Sequence, residues 1–254
     1  MKELEFAKGL AVALGKTAFT EFGSSISLKP KGPVDVVTSV DFKCEKIALE
    51  EIAEKFPEDA ILSEEAGKIG EAERVWFVDP LDGTSNFAHG IPFFAASIAF
   101  SEAGTVKAGA VYSPVSNELY YARKGAGAFL NGERIGVKAR SLQEGLLSFG
   151  SAHWEDDELQ QKAYDCLKKV GMRFKKIRFL GGVALELCLL AAGKLDAVLR
   201  FGQMPWDVAA GMLIAEEGGA RITDLNCREW SVETSDFLAA EPLMYERVMN
   251  FLGD

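Results

Sequence analysis

One stretch constrains this chain more than any other. Val75-Trp76-Phe77-Val78 runs without a break into Asp79-Pro80-Leu81-Asp82-Gly83-Thr84-Ser85-Asn86-Phe87. A short apolar run bounded by turn formers fits a buried strand. That strand ends by delivering Asp79 and Asp82, with Pro80 stiffening the backbone between them. Gly83-Thr84-Ser85 then opens a helical turn. Two hard carboxylates beside outward backbone N–H groups suit a divalent cation carrying a phosphate.

The rest of the chain is read around that strand. Residues 3–22 place Leu4, Phe6, Ala7, Leu10, Ala11, Leu14 and Phe19 at amphipathic helical spacing, and Gly23-Ser24-Ser25 ends the helix. Lys29-Pro30-Lys31-Gly32-Pro33 reads as a loop. A second helix is predicted from Ser39-Val40-Asp41, burying Ile47, Ile52 and Phe56 and stopping at Pro57. Strands are predicted over 60–63, 74–79, 94–100, 105–112 and 117–122. Asn131-Gly132 is a hairpin turn, since both residues tolerate positive φ. This middle region is expected to be largely antiparallel.

From about residue 137 strands and helices alternate. Strands are predicted over 145–149, 175–180, 195–200, 220–223 and 237–240, with helices over 155–170, 182–193, 205–217 and 242–252. Such alternation predicts a mixed sheet covered on both faces. The expectation is an antiparallel α+β subdomain, residues 1–136, then an α/β subdomain, residues 137–254. No flexible linker separates them, so one compact unit with a site at the junction is expected.

Composition removes several functions. No run of about 18 apolar residues is present, so a membrane span is not expected. The start, Met1-Lys2-Glu3-Leu4-Glu5, lacks a signal-peptide pattern, and a cytoplasmic location is the expectation. The net charge of -10 disfavours nucleic acid and anionic membrane as partners. Cys44, Cys166, Cys188 and Cys227 are widely spaced with no CxxC pair, so buried, reduced thiols are expected. His89 and His153 are the only histidines, and neither lies in a nucleophile or zinc motif. The 38 acids are the better candidates for working groups.

Three acidic segments fall where a strand ends or a helix begins, the edge at which α/β folds tend to bind ligands. Glu64-Glu65 follows Ala60-Ile61-Leu62-Ser63. Asp79 and Asp82 follow 75–78. Asp207 sits in Pro205-Trp206-Asp207-Val208-Ala209-Ala210-Gly211. Each has a plain alternative: a solvated turn, an ordinary Asp-Pro turn, a helix cap. Together they point to one site. Four acids in one place repel strongly unless cations neutralise them, and Mg²⁺ prefers such oxygen ligands.

Asp79 to Phe87 resembles the first signature of the inositol monophosphatase family, and Trp206 to Gly211 resembles the second. Thr38-Ser39-Val40-Asp41 and Ser63-Glu64-Glu65 occur in the family's order. The resemblance spans about residues 4 to 252. It implies the layered αβαβα sandwich of Mg²⁺-dependent, lithium-sensitive phosphatases, a mixed α/β fold, and commonly a homodimer. It also implies two or three Mg²⁺ ions. Glu64, Asp79 and the Leu81 carbonyl resemble ligands of the first ion. Asp79, Asp82 and Asp207 resemble ligands of the second, and a third ion sits near Glu64. Thr84, oriented by Asp41, resembles the hydroxyl that activates the attacking water. Backbone N–H groups of Gly83, Thr84 and Ser85 resemble the phosphate cradle.

The alcohol side is expected at Asp82, Gly182 and Val183, within Gly181-Gly182-Val183. A tight strand-to-helix turn is the alternative reading there. Arg200 stands where animal members of the family carry a glutamate that contacts inositol. Arginine offers five donors and no acceptor, suited to a second phosphate or a polyol; a surface arginine is the alternative. Lys29 or Lys31 is a further candidate to reach the site. The implied reaction is hydrolysis of a phosphate monoester, with myo-inositol 1-phosphate as the first expectation. Fructose 1,6-bisphosphate, alone or as a dual activity, is the nearest rival. A 3′(2′),5′-bisphosphate nucleotidase and a non-enzymatic scaffold rank lower.

Overall fold

The apolar spacing at the N-terminus forms α1 (Lys2–Glu21), and α2 (Ser39–Lys55) follows. The structure, a computed structural model, describes residues 2–24, 28–30, 36–152, 156–174 and 176–253, without the side chains of 28–30 and 36–37. Lys31 and His153 lie outside the described residues, as does the side chain of Lys29. Thr38 caps α2: its side chain accepts from Val40 N–H and Asp41 N–H, while the Asp41 carboxylate accepts from Thr38 N–H at 2.8 Å. This reciprocal box turns Asp41 back toward the helix start. Ahead of it, β1 (Leu28–Pro30) pairs antiparallel with β2 (Val36–Thr38). The sequence predicts only a loop there, because three-residue strands are too short to show alternation.

The middle region builds one sheet from β3 (Ala60–Ser63), β4 (Gly67–Ile69), β5 (Arg74–Asp82), β6 (Ala95–Glu102), β7 (Thr105–Ser113), β8 (Glu118–Arg123), β9 (Ala128–Leu130) and β10 (Glu133–Ile135). The order is β10-β9-β8-β7-β6-β5-β3-β4. Every pair is antiparallel except β3 with β5, which is parallel. Asn131 and Gly132, at φ 49° and 94°, make the β9–β10 turn. The short strand β4, mostly exposed, has no periodic signal and is absent from the sequence reading.

The second sheet contains β11 (Leu146–Ser151), β12 (Lys176–Arg178), β13 (Ala197–Phe201), β14 (Arg221–Asp224) and β15 (Phe237–Ala240), in the order β12-β11-β13-β15-β14. It is mixed: β11 runs parallel to β12 and β13, and the remaining pairs are antiparallel. The remaining helices are α3 (Thr84–Ala88), α4 (Asp157–Gly171), α5 (Val183–Ala191), α6 (Pro205–Glu217) and α7 (Pro242–Gly253).

Four apolar clusters glue five layers. The first joins α1 and α2 to one face of the eight-stranded sheet through Leu10, Leu14, Ile52, Trp76 and Ile98. The second joins the opposite face to α5 and α6 through Ala95, Ala99, Ala184, Ala209 and Leu213. The third bonds those helices to the five-stranded sheet through Leu187, Val198, Met212 and Phe237. The fourth packs α4 and α7 on its outer face through Phe149, Ala163, Leu199 and Val248. The result is an αβαβα sandwich. Its middle layer, α5 and α6, is buried on both sides, which accounts for the nearly all-apolar run Val208–Ala215.

Among the described residues no helix is long and apolar enough to cross a membrane. The four cysteines are free; Cys44 and Cys188 are buried, Cys166 is half-buried, and Cys227 is exposed, contrary to the expectation of buried thiols throughout.

Candidate active site

The end of β5 is irregular. Asp79 lies opposite Ser97 of β6, while Asp82 lies opposite Ala95. Three steps along one strand are thus matched by two along the other. Side chains alternate faces along a strand, so residues three apart normally point to opposite sides. One extra residue in a bulge cancels that alternation. Asp79 and Asp82 therefore share the face that carries Ala95 and Ala99, the face covered by α5 and α6. Pro80 is tolerated because a bulge leaves a residue outside the ladder. The predicted strand ended at Asp79; the observed one continues through the bulge to Asp82.

Both carboxylates are buried, Asp79 at 2% exposure and Asp82 at 6%. Asp79 Oδ1 accepts from Leu81 N–H at 3.0 Å, and Asp82 Oδ2 accepts from Leu185 N–H at 3.3 Å. Burial pushes the Asp79 carboxyl well above the ordinary carboxylate range, and the charges of Glu64, Asp82 and Asp207 push it further. Asp82 is raised by burial and by Asp207, with Arg200 acting in the opposite direction. The four acids singled out in the sequence therefore share one electrostatic neighbourhood.

Among the described residues, however, no three His, Cys, Asp or Glu side chains are gathered as a metal cage. Like charges without a counter-ion hold apart. Asp82 and Asp207 each turn an oxygen to a backbone N–H instead. The donor set is entirely hard oxygen on mutually repelling acids, Asp79 and Asp82 buried and Glu64 and Asp207 half-buried, which fits a hard divalent cation of the Mg²⁺ type. Ser97, opposite Asp79, adds a buried hydroxyl with no hydrogen-bond partner among the described residues.

Each remaining acid is held by its own device. Asp207 is the third residue of α6, and its Oδ2 accepts from Met204 N–H at 2.8 Å. It is a helix cap and a neighbour of Asp79 and Asp82 at once. Glu64 lies on the turn after β3, where its N–H donates to Val78 O at 3.3 Å. That turn is organised by Glu45, which the sequence reading missed. Oε1 of this buried residue accepts from the Ser63 hydroxyl, from Glu65 N–H at 2.9 Å and from Ala66 N–H at 3.0 Å. The available signal was its spacing: Glu45 stands one helical turn after Asp41 on the same face of α2.

Thr84 opens α3. Its Oγ1 lies 3.0 Å from Asp41 Oδ1 and 3.0 Å from the Leu81 carbonyl oxygen, two acceptors for one proton. Burial raises the Asp41 carboxyl, against the hydrogen bonds from Thr38 and Thr84 that lower it. Gly83 precedes Thr84 at φ 87°, a left-handed conformation that strains any residue with a Cβ. As the first residues of α3, Thr84 and Ser85 carry N–H groups with no acceptor inside the helix. Gly182 caps α5 and Val183 is its first residue. Gly182 lies directly against Asp82, where a Cβ would stand 3.0 Å from Oδ2. Asn86 ties the two loops together by donating to Leu180 O at 2.7 Å and Phe93 O at 2.9 Å.

Arg200 departs from the surface reading, being only 6% exposed. Its guanidinium is buried and forked onto the carboxylate of Glu186. No local signal marks this pairing in the sequence, because the partners lie on different elements brought together by the middle layer.

Known proteins match this arrangement along the whole chain. The model of the inositol monophosphatase family matches residues 2–251. A Thermotoga maritima protein named fructose-1,6-bisphosphatase/inositol-1-monophosphatase is 35% identical over 256 residues, covering 100% of this chain and 97% of the relative. A Vibrio cholerae protein named Nus factor SuhB is 37% identical, covering 92% of this chain and 88% of its own. The solved structure of extragenic suppressor protein suhB from Bartonella henselae superposes with a TM-score of 0.92 at 32% identity, covering 99% of this chain and 98% of that one.

Proposed function

We infer the reaction from one premise: this chain belongs to the inositol monophosphatase family, and is a phosphoric monoester hydrolase. We propose that it depends on Mg²⁺ and acts on myo-inositol 1-phosphate. The observation that carries the reading is the β5 bulge, which sets Asp79 and Asp82 side by side on a buried face with Asp207 in electrostatic reach.

In this reading Glu64, Asp79, Asp82, Asp207 and the Leu81 carbonyl hold the cations. When bound, Mg²⁺ neutralises these acids and supplies electrostatic stabilisation to the phosphoryl and leaving oxygens. The protein's own part is orientation and proton handling. Backbone N–H groups of Gly83, Thr84 and Ser85 bind the phosphate. The Thr84 hydroxyl, bonded to Asp41, turns a lone pair toward the attacking water and takes up its proton as its own passes to Asp41. A buried carboxyl with a raised pKa is suited to keep that proton. Gly182 and Val183 border the alcohol. The division of labour follows the two halves of the chain, 1–136 for Glu64 to Ser85 and 137–254 for Asp207 and the 181–183 loop. We also propose a homodimer, which sedimentation at micromolar concentration tests.

The name of the Thermotoga maritima relative supports a second reading, in which fructose 1,6-bisphosphate is an alternative substrate. The test is phosphate release from myo-inositol 1-phosphate, fructose 1,6-bisphosphate and a 3′,5′-bisphosphate nucleotide, each with and without Mg²⁺. The highest kcat/KM is expected with the inositol ester. A higher value for the bisphosphate reverses the order of the two readings. No Mg²⁺-dependent release from any of them overturns both.

A further inference from the structure

Glu186 is fully buried on the first turn of α5, and Arg200 is 6% exposed near the end of β13. Arg200 Nε donates to Glu186 Oε2 at 3.0 Å, and Nη2 donates to Oε1. This is the two-pronged geometry that arginine makes with a carboxylate and lysine does not. The sheet makes room for it. Gly150 lies opposite Arg200 in the β11–β13 register, where a Cβ would collide with the guanidinium.

The pair is anchored beside the site. One residue before Glu186, Leu185 N–H donates to Asp82 Oδ2. Gly182, which caps the same turn, packs against that same oxygen. The Glu186–Arg200 clasp therefore fastens the backbone that meets Asp82 and carries the 181–183 loop. A buried ion pair contributes little net stability compared with apolar side chains of the same volume. Its geometry has an effect that apolar packing lacks: it pins one helical turn in one position.

We propose that Glu186 and Arg200 are positioning residues. They hold the first turn of α5 so that Asp82 and the 181–183 loop are set for a cation and an ester, and Arg200 itself does not touch substrate. The kinetic part of this statement rests on the phosphatase reading; the cation part does not. The decisive variant is E186M/R200M, which removes the clasp without changing net charge. Single removal of Arg200 would mislead, because the stranded Glu186 charge would itself attract cations.

The measurements are Tm, Mn²⁺ binding by electron paramagnetic resonance, and steady-state phosphate release. For E186M/R200M the expected Tm is equal to or above wild type. Mn²⁺ affinity should fall about tenfold, the effect typical of lost outer partners of metal ligands. The kcat should fall with it, while KM for the ester moves by less than about threefold. Raised KM with unchanged Mn²⁺ binding would mean that Arg200 touches substrate, and would overturn the proposal. Unchanged Mn²⁺ binding and unchanged kcat would reduce the pair to packing, and would also overturn it. If the double variant does not fold, R200K keeps the charge and loses the fork. Weaker Mn²⁺ binding in R200K supports the clasp, and wild-type binding refutes it. A wild-type protein that binds Mn²⁺ but hydrolyses no ester would sink the phosphatase reading and leave the Mn²⁺ arm decisive.

Discussion

Buried acids are held differently at the two sheets. At the five-stranded sheet Glu186 of α5 is clasped by Arg200, Asp196 accepts from Arg140 Nη1 at 2.8 Å and from Leu146 N–H at 2.8 Å, and Glu241 accepts from the N–H groups of Leu243 and Met244 at 3.0 Å. At the end of β5 in the eight-stranded sheet, Asp79 and Asp82 accept from backbone N–H groups alone among the described residues, and Asp82 helps raise Asp79. The contrast belongs to the site and not to the sheet, since Asp59 beside β5 is forked by Arg74 and bonded by Trp76. An uncompensated buried charge costs several kcal/mol. Asp41, Glu45 and Glu241 are likewise held by hydroxyl or N–H donors; Asp79 and Asp82 differ in standing beside further acids, and that mutual repulsion calls for a charge from outside.

The contrast can be broken in steps. Asp82→Asn removes a charge from the uncompensated group. Phosphate release should fall by orders of magnitude, while Tm in EDTA stays level or rises. A collapse of Tm would mean that Asp82 is architectural like Asp196. Thr84→Ala should lower kcat by about a hundredfold or more, with Thr84→Ser retaining most activity. Equal loss in both variants would remove the hydroxyl from the mechanism. Glu45→Gln weakens the acceptor that organises the Glu64 turn, and about a tenfold loss of Mg²⁺ affinity is expected. Mg²⁺ titration of activity measures it, and no change would separate Glu45 from the site.

The smallest expected effect is a slope. Because the folded state raises the carboxyls of Asp79 and Asp82, it binds protons that the unfolded chain releases. Without metal, the contribution of these two acids to stability is therefore greatest below the ordinary carboxylate range. It declines as pH rises from there through the raised values. Thermal melts in EDTA across that range should show the decline, and Mg²⁺ should flatten it. A rising Tm with pH in EDTA would contradict the assignment of these two acids as uncompensated.

Local chemistry in the sequence reached far into this molecule. The strand 60–63, the helix 205–217 and the strand 237–240 are read with their observed limits. The Asn131-Gly132 turn is read for the reason it forms. Glu64, Asp79, Asp82 and Asp207 were singled out because each sits at a strand end or helix start, whereas Asp41 and Thr84 took their proposed roles from the family resemblance. Short or unpatterned elements were not legible: β1, β2 and β4 have only three residues each. Glu45 was passed over because one acid on an amphipathic helix looks like any other until its partners across the fold are known.

By itself the sequence determined most of the elements and the placement of the acids proposed to hold a cation at strand ends and helix starts. These follow from period, capping and turn chemistry, which act over a few residues. Tertiary structure alone decided three things. The bulge opposite Ser97 and Ala95 put Asp79 and Asp82 on one face. The approach of α5 brought Leu185 N–H and Gly182 to Asp82. The meeting of β13 with α5 committed Arg200 to Glu186. Each depends on which distant backbone lies opposite a given residue. Strand register and helix packing set that, and local sequence does not encode it.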